Sequence, residues 1–215
     1  FINKGINSEG IPVFIEMSKE YGLNDDTYSS HAQFFDYDND GDLDVFIGVN
    51  RIEGIDPNVF RNIHDDDKNL SKDRIYENIS VDSLDHPFFI DVTKKSQIRF
   101  HGYSHSTIIN DFNNDGWLDI YVANDYLSSD LVYINNKDKT FTNKADEIFK
   151  HYSLSAMGSD ISDINNDGRL DLFISEMQPY YNKRKKLFQK GTNYQREILT
   201  RKYNYEYQYT RNTLQ

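Results

Sequence analysis

The sequence predicts an all-β fold built from repeated four-stranded antiparallel units, with one short helical or irregular insertion. Three observations carry this. An aspartate-rich loop followed by an apolar run occurs three times: "DYDNDGDLDVFIGV" at 36–49, "DFNNDGWLDIYVAN" at 111–124 and "DINNDGRLDLFISE" at 163–176. Between them a second plan recurs, an apolar-aromatic strand, an Asn-rich turn and then Phe-x-[EDN]-x-[STA]. Aromatics are dense, with 16 Tyr, 14 Phe and 1 Trp in 215 residues, a bias that suits half-buried strands.

The elements follow in chain order. "FINKG" and "PVFIEMS" within 1–18 read as a hairpin, because Asn and Gly accept the left-handed conformations of tight turns and the flanks alternate. The first Asp loop joins two strands, and "IYENIS" with "PFFIDVT" at 75–93 supplies the next two. The second loop and "VYINNKDKTFTNKA" at 132–145 repeat that order. After the third loop, "RNTLQ" at 211–215 begins a further copy of the hairpin plan. Loop starts lie 75 and then 52 residues apart, and removing an insertion from the first interval leaves roughly 45 to 55, the blade length of a β-propeller. The chain is therefore expected to be part of a β-propeller of four-stranded antiparallel blades. Residues 1–27 would end one blade, 28–102 form a blade with an insertion at 51–73, 103–152 form another, and 153–215 form an incomplete blade with an insertion at 176–210. Three blades do not close a ring, so a longer protein is expected.

The loops have the chemistry of a calcium turn: oxygen ligands at the first, third and fifth positions, Gly at the sixth and a carboxylate further on. Loop one offers the Asp36, Asp38, Asp40 and Asp44 side chains with the Asp42 carbonyl. Loop two offers Asp111, Asn113, Asp115 and Asp119 with the Trp117 carbonyl, and loop three Asp163, Asn165, Asp167 and Asp171 with the Arg169 carbonyl. Gly at the sixth position is expected because a Cβ would obstruct the bend. An EF-hand also begins this way but needs Glu at the twelfth position, where this chain has Ile47, Val122 and Ile174. Zinc is disfavoured by an all-oxygen set and magnesium by its reluctance to shed water. The competing reading is an ion-free Asx turn held by side-chain-to-backbone bonds. Three repeats with Asp always ninth favour Ca2+, about three ions with one per loop. Those ions would move the formal charge from −11 to −5. Loop one, richest in carboxylates, is expected to bind most tightly.

The pattern D-x-[DN]-x-D-G-x-L-D with a following apolar strand resembles the FG-GAP/VCBS repeat of integrin-α-type propellers. More narrowly, "MGSDISDINNDGRLDLFISEMQP" with the later "RNTLQ" is similar to bacterial relatives of the cartilage acidic protein group. The Phe-Gly and Gly-Ala-Pro signatures are absent, the strand ends reading "GVN", "AND" and "SEM". The resemblance implies a seven- or eight-bladed calcium-binding propeller, secreted or on a bacterial outer surface. It also implies adhesion or ligand binding, to an extracellular protein or polysaccharide or within a larger surface complex, rather than catalysis. The alternative is the propeller body of a polysaccharide lyase or other carbohydrate-active enzyme.

The acidic balance argues against nucleic acid, and no apolar run reaches the roughly 18 to 20 residues of a membrane span. With no cysteine there is neither a disulfide nor a thiolate site. No nucleophile elbow, phosphate loop or dinucleotide fingerprint occurs, so no catalytic residue is assigned. "HGYSH" at 101–105 would suit a zinc pair only on a helix, whereas it leads into a strand. His31 and His105, at nearly the same repeat position, read as packing residues, and "HDDD" at 64–67 as an exposed turn or an extra ion site. The basic segment 183–211 is expected to include a short amphipathic helix with Leu187, Phe188, Ile198 and Leu199 as its apolar face. It reads as a covering helix first, or as a contact for an acidic polysaccharide, a membrane surface or the protein's own acidic neighbours. "YNYEYQY" at 203–209 alternates as a half-exposed strand would, with blade packing favoured over sugar stacking. Long insertions at 51–73 and 176–210, opposite the Asp loops, are the expected partner surface.

Overall fold

The computed structural model describes residues 1–51, 54, 56–60, 72–79, 81, 83–100, 102–177, 179, 181–188 and 194–215. A hairpin of β1 (Ile2–Ile6) and β2 (Pro12–Ile15) comes first. Then come two complete four-stranded antiparallel sheets in chain order. One is β3 (Ser29–Phe35), β4 (Asp44–Val49), β5 (Arg74–Ile79) and β6 (Phe88–Asp91). The other is β7 (Ser104–Asn110), β8 (Asp119–Asn124), β9 (Leu131–Asn135) and β10 (Phe141–Asn143). A short helix α1 (Ala145–Ile148) and β11 (Tyr152–Ser153) lead to β12 (Ala156–Ser162) and β13 (Asp171–Glu176). Helices α2 (Asn182–Phe188) and α3 (Tyr194–Lys202), then β14 (Gln208–Tyr209), precede β15 (Thr213–Leu214), which pairs with β13. The fold is all-β with a few short helices.

"RNTLQ" thus supplies the third strand of the last sheet: Phe173 faces Leu214 as Phe46 faces Ile75 and Tyr121 faces Val132. β14 joins β11 in a two-residue parallel bridge, so only the end of "YNYEYQY" is strand.

β4 and β8 are apolar at almost every position because both of their faces are covered, whereas in β13 Leu172 and Ile174 are buried and Phe173 is 43% exposed. In β8, Ile120 and Val122 point toward the preceding sheet, packing with Phe35, Phe46 and Ile75. Tyr121 and Ala123 point the other way, packing with Ala156, Leu172 and Ile174 of the following sheet. In β4, Phe46 faces forward while Val45 and Ile47 pack with Tyr21 and Leu23, which follow the first hairpin. Consecutive sheets therefore stack face to face.

Neighbouring sheets approach along their first strands, β3 against β7 and β7 against β12. Small and polar residues make this possible. The Ser30 hydroxyl donates to the Ser104 carbonyl at 2.9 Å, the Gln33 amide to the Thr107 carbonyl at 2.6 Å, and the Ser159 N–H to Ser106 Oγ at 3.1 Å. Each first strand carries a register shift at the same place, between Ser29 and His31, Ser104 and Ser106, and Ala156 and Gly158. His105 is therefore the bulged residue, whereas His31 follows its bulge; the two are one position out of register. His31 bonds Thr107 of the next sheet through Nε2, and burial lowers its pKa, so it packs as a neutral ring. Gly48 lies opposite His31, and a Cβ there would stand 2.2 Å from the imidazole.

The basic segment forms two helices rather than one. Leu187 is 76% exposed and Ile198 46%, so the expected apolar face is not buried as a unit.

Candidate functional site

Each Asp loop joins the first and second strands of its sheet, and its ninth-position Asp opens the second strand: Asp44, Asp119 and Asp171. The loops fold alike because carboxylate and amide oxygens at the first and third positions collect the N–H groups behind them. Asp40 N–H donates to Asp36 Oδ1 and Asp38 Oδ1, both at 3.2 Å, and Gly41 N–H to Asp36 Oδ2 at 3.0 Å. Asp115 N–H and Asp167 N–H do the same with Asp111 and Asn113, and with Asp163 and Asn165, at 2.9–3.0 Å. In loop three the Gly168 N–H, bonded at 2.8 Å, heads the donors that hold the Asp163 carboxyl below its usual range.

The fourth position is Asn in all three loops and left-handed in all three: Asn39 at φ 57°, Asn114 at 56° and Asn166 at 60°. Asn is among the residues that tolerate this conformation, so its recurrence was a visible signal. The sixth-position Gly is needed for conformation, not space. Gly41, Gly116 and Gly168 sit at φ 96°, 86° and 82°, and a Cβ on any of them would meet nothing within 4 Å.

In loop one, Asp36, Asp38 and Asp40 each bring one oxygen to within 4.8 Å of the others. The Asp42 carboxyl, expected only as a carbonyl donor, also turns inward; its Oδ1 is buried without a hydrogen-bond partner. Burial, then repulsion from Asp40, Asp38 and Asp36, raises its pKa. Asp44 stands apart from the trio. Its Oδ2 accepts Tyr37 N–H at 3.1 Å and its Oδ1 accepts Asn78 N–H at 2.8 Å, tying the loop to β5. Asp119 repeats this with Phe112 N–H at 3.0 Å and Asn135 N–H at 2.8 Å. Burial pushes Asp44 up to about 7 and raises Asp119. In loops two and three Asn113 and Asn165 hydrogen-bond Asp115 and Asp167, both at 3.1 Å, and Asp171 accepts Ile164 N–H at 3.1 Å.

Lysines from the β9–β10 turn reach the same end. Lys139 bridges two sheets, 2.5 Å from Asp38 and 2.6 Å from Glu77, while Lys137 lies 3.2 Å from Asp115. Asn39 Nδ2 donates to the Gly116 carbonyl at 3.3 Å, so loops one and two touch.

A second repeated device sits at the opposite end, where the second strand leaves each sheet. Asp73 Oδ1 accepts Val49 N–H at 2.8 Å, Asp130 Oδ1 accepts Asn124 N–H at 2.9 Å, and Asn212 Oδ1 accepts Glu176 N–H at 2.9 Å. Each precedes its third strand. Asp73 also accepts the Ser104 hydroxyl at 2.6 Å and Asp130 the Tyr121 hydroxyl at 3.0 Å. Burial pushes Asp73 up to about 6 and Asp130 up to about 7.

The long connections lie at this end. Most of 51–73, including "HDDD" at 64–67, falls outside the described residues, as does His101. His105 Nε2 is 3.6 Å from Asp125. The 176–210 insertion folds back on the short connection 125–130, Gln208 Nε2 donating to the Tyr126 and Ser128 carbonyls at 3.1 Å. Phe60 packs edge-on against buried Tyr205, ring centres 5.2 Å apart. Between these segments lies a cavity of about 450 Å³.

No helix among the described residues is long and apolar enough to cross a membrane. Comparison with curated proteins gives no match. Residues 111–174, from the start of loop two into β13, match the family model of the FG-GAP-like repeat.

Proposed function

We propose that this chain is a calcium-stabilised β-propeller module, secreted or held at the cell surface, that binds an extracellular protein or glycan through the rim opposite its Asp loops. The observation that carries the calcium reading is the inward crowding of loop one. Three carboxylates with oxygens within 4.8 Å, and a buried Asp42 oxygen lacking a hydrogen-bond partner, repel one another, and Lys139, which pairs with Asp38 alone among them, offsets only part of that charge. The donor set is hard oxygen throughout, as Ca2+ prefers. Asp36, Asp38, Asp40 and Asp44 with the Asp42 carbonyl would hold one ion. Asp111, Asn113, Asp115, Asp119 and the Trp117 carbonyl would hold the second, and Asp163, Asn165, Asp167, Asp171 and the Arg169 carbonyl the third. Bound Ca2+ supplies positive charge to the turn and no chemistry on a substrate.

Support for the binding rim comes from the packing of the 176–210 insertion on 125–130 and Phe60, which gives the far end an irregular, tyrosine-rich surface. The FG-GAP-like match over 111–174 and the face-to-face stacking of sheets support the propeller reading. Calorimetric titration of the full chain is expected to give three Ca2+ per chain, with Asp36→Ala, Asp111→Ala and Asp163→Ala each removing one. An unchanged stoichiometry in all three variants counts against the assignment. Recovery from cell fractions is expected in the medium or on the outer surface; confinement to the cytoplasm contradicts the location.

A further inference from the structure

We infer that the cavity bounded by α3, the 205–209 segment, Leu127 and Phe60 is a binding site for a neutral glycan, a pyranoside chain without carboxylate or sulfate groups. The inference rests on the proposed binding rim and specifies its ligand.

Tyr194, Tyr207 and Tyr209 are 77%, 50% and 46% exposed and gather on this one cavity, and such a contiguous exposed patch, rather than any single exposed ring, marks a binding surface. They stand over a floor made by Leu127 and by Tyr205, which Phe60 buttresses. A pyranose ring presents an apolar C–H face and a periphery of hydroxyls. Tyrosine matches both, with a flat apolar ring and a polar tip.

Charge then narrows the class. Glu197 is the acidic group on the helical wall, and Arg201 neutralises it at 2.7 Å. The same guanidinium is beside the Tyr207 hydroxyl. A cation already placed in the wall disfavours an ammonium ligand, although tyrosine faces would otherwise attract one. Glu206 lies on the opposite wall, partly buried, with Asp146 near enough to raise its pKa further after burial does so. With Arg211 5.3 Å over the Tyr209 ring, two carboxyl groups face two guanidinium groups, which leaves no excess positive charge to receive a uronate or sulfate and no excess negative charge to receive an ammonium group. The basic character of 183–211, which on sequence alone suggested an acidic polysaccharide, reaches the cavity through Arg201 and Arg211, which Glu197 and Glu206 balance. The carboxyl groups of Glu197 and Glu206 remain as acceptors for sugar hydroxyls, and the Thr200 hydroxyl is a further donor. Gln208 does not donate, since its Nε2 is committed to the Tyr126 and Ser128 carbonyls. A volume of about 450 Å³ exceeds what a single small ammonium group fills and falls in the range of small-molecule clefts.

The test uses the full chain in saturating Ca2+. Cellotetraose, chitotetraose and mannotetraose serve as neutral probes, oligogalacturonate and chondroitin sulfate as acidic ones, and choline as a cationic one. Binding is followed by calorimetry. At least one neutral tetrasaccharide is expected to bind, and Tyr194→Ala and Tyr207→Ala are each expected to weaken it by about tenfold or more. Both rings are exposed, so both variants should melt as the parent does. The inference is overturned if only acidic probes or choline bind, if no probe binds, or if neutral binding survives both substitutions. A calcium-dependent rise in melting temperature with no glycan bound would sink this inference alone, leaving the module reading in place. Absence of that rise would count against the module reading itself.

Discussion

Asp73 and Asp130 are buried acids whose oxygens accept backbone N–H groups, and this couples the fold to pH. An unfolded Asp titrates near 4, whereas burial places these at about 6 and about 7. Protons therefore bind more tightly to the folded state. Their contribution to stability is full below about pH 4 and is lost as pH rises through about 6 and 7. Asp130→Asn keeps an acceptor for Asn124 N–H and removes the ionisation. Its urea midpoint, measured in excess Ca2+ from pH 4.5 to 7.5, is expected to fall less with pH than the parent's; identical slopes would contradict this. Asp130→Ala instead strands the Asn124 N–H and Tyr121 O–H, costing about 1–3 kcal/mol for each buried group. At Gly48, Ala would drive a methyl into the His31 ring, and a loss of about 1–3 kcal/mol is expected in chemical denaturation. His31→Ala in the same chain should recover most of it, and failure to do so would show that the ring is not the obstacle. The Asp loops were legible because their residues recur at fixed spacing. The Asp73, Asp130 and Asn212 anchors also recur, but as one polar residue before an apolar strand, a signal that emerges only when the third strands are aligned by pairing.

Strands were the most legible elements. β4, β8 and β13 follow directly from apolar runs after the loops, and the three hairpin copies mark β1–β2, β5–β6 and β9–β10. The bulges in β3, β7 and β12 were hidden, since an extra residue in a polar strand leaves no hydrophobic trace. The basic segment reads in sequence as one helix because Leu187 and Ile198 suggest an apolar face. Exposure of both shows that its two helices are not held by such a face. Lys139 illustrates a contact that spacing cannot reveal. It sits in the turn of one sheet and neutralises Asp38 in the loop of the preceding one, because first-to-second and third-to-fourth turns share one end. Lys139→Gln should free Asp38, so calcium affinity at loop one is expected to tighten while the calcium-free chain melts earlier. Unchanged affinity would mean that Asp38 takes no part in holding the ion.

Across the molecule, sheets stack in series with apolar layers between them, and acidic turns gather at one end of the stack. That end concentrates 11 acidic residues in three nine-residue turns of a chain with formal charge −11. Stacking draws loops one and two into contact, so cation binding and sheet packing are expected to be linked. The opposite end carries the irregular connections, where the sequence indicated length but not shape. Its aromatic cavity depends on Phe60 meeting Tyr205 from a segment far along the chain. The central claim is that Ca2+ stabilises this stack, and the most direct measurement is the melting temperature of the full chain against free Ca2+. The midpoint should rise steadily with calcium, by about 2.7 kcal/mol of stability per site at a hundredfold excess over the dissociation constant, and should fall on chelation. Magnesium at the same concentration should give a much smaller shift. A midpoint identical in chelator and in excess Ca2+ would contradict the account.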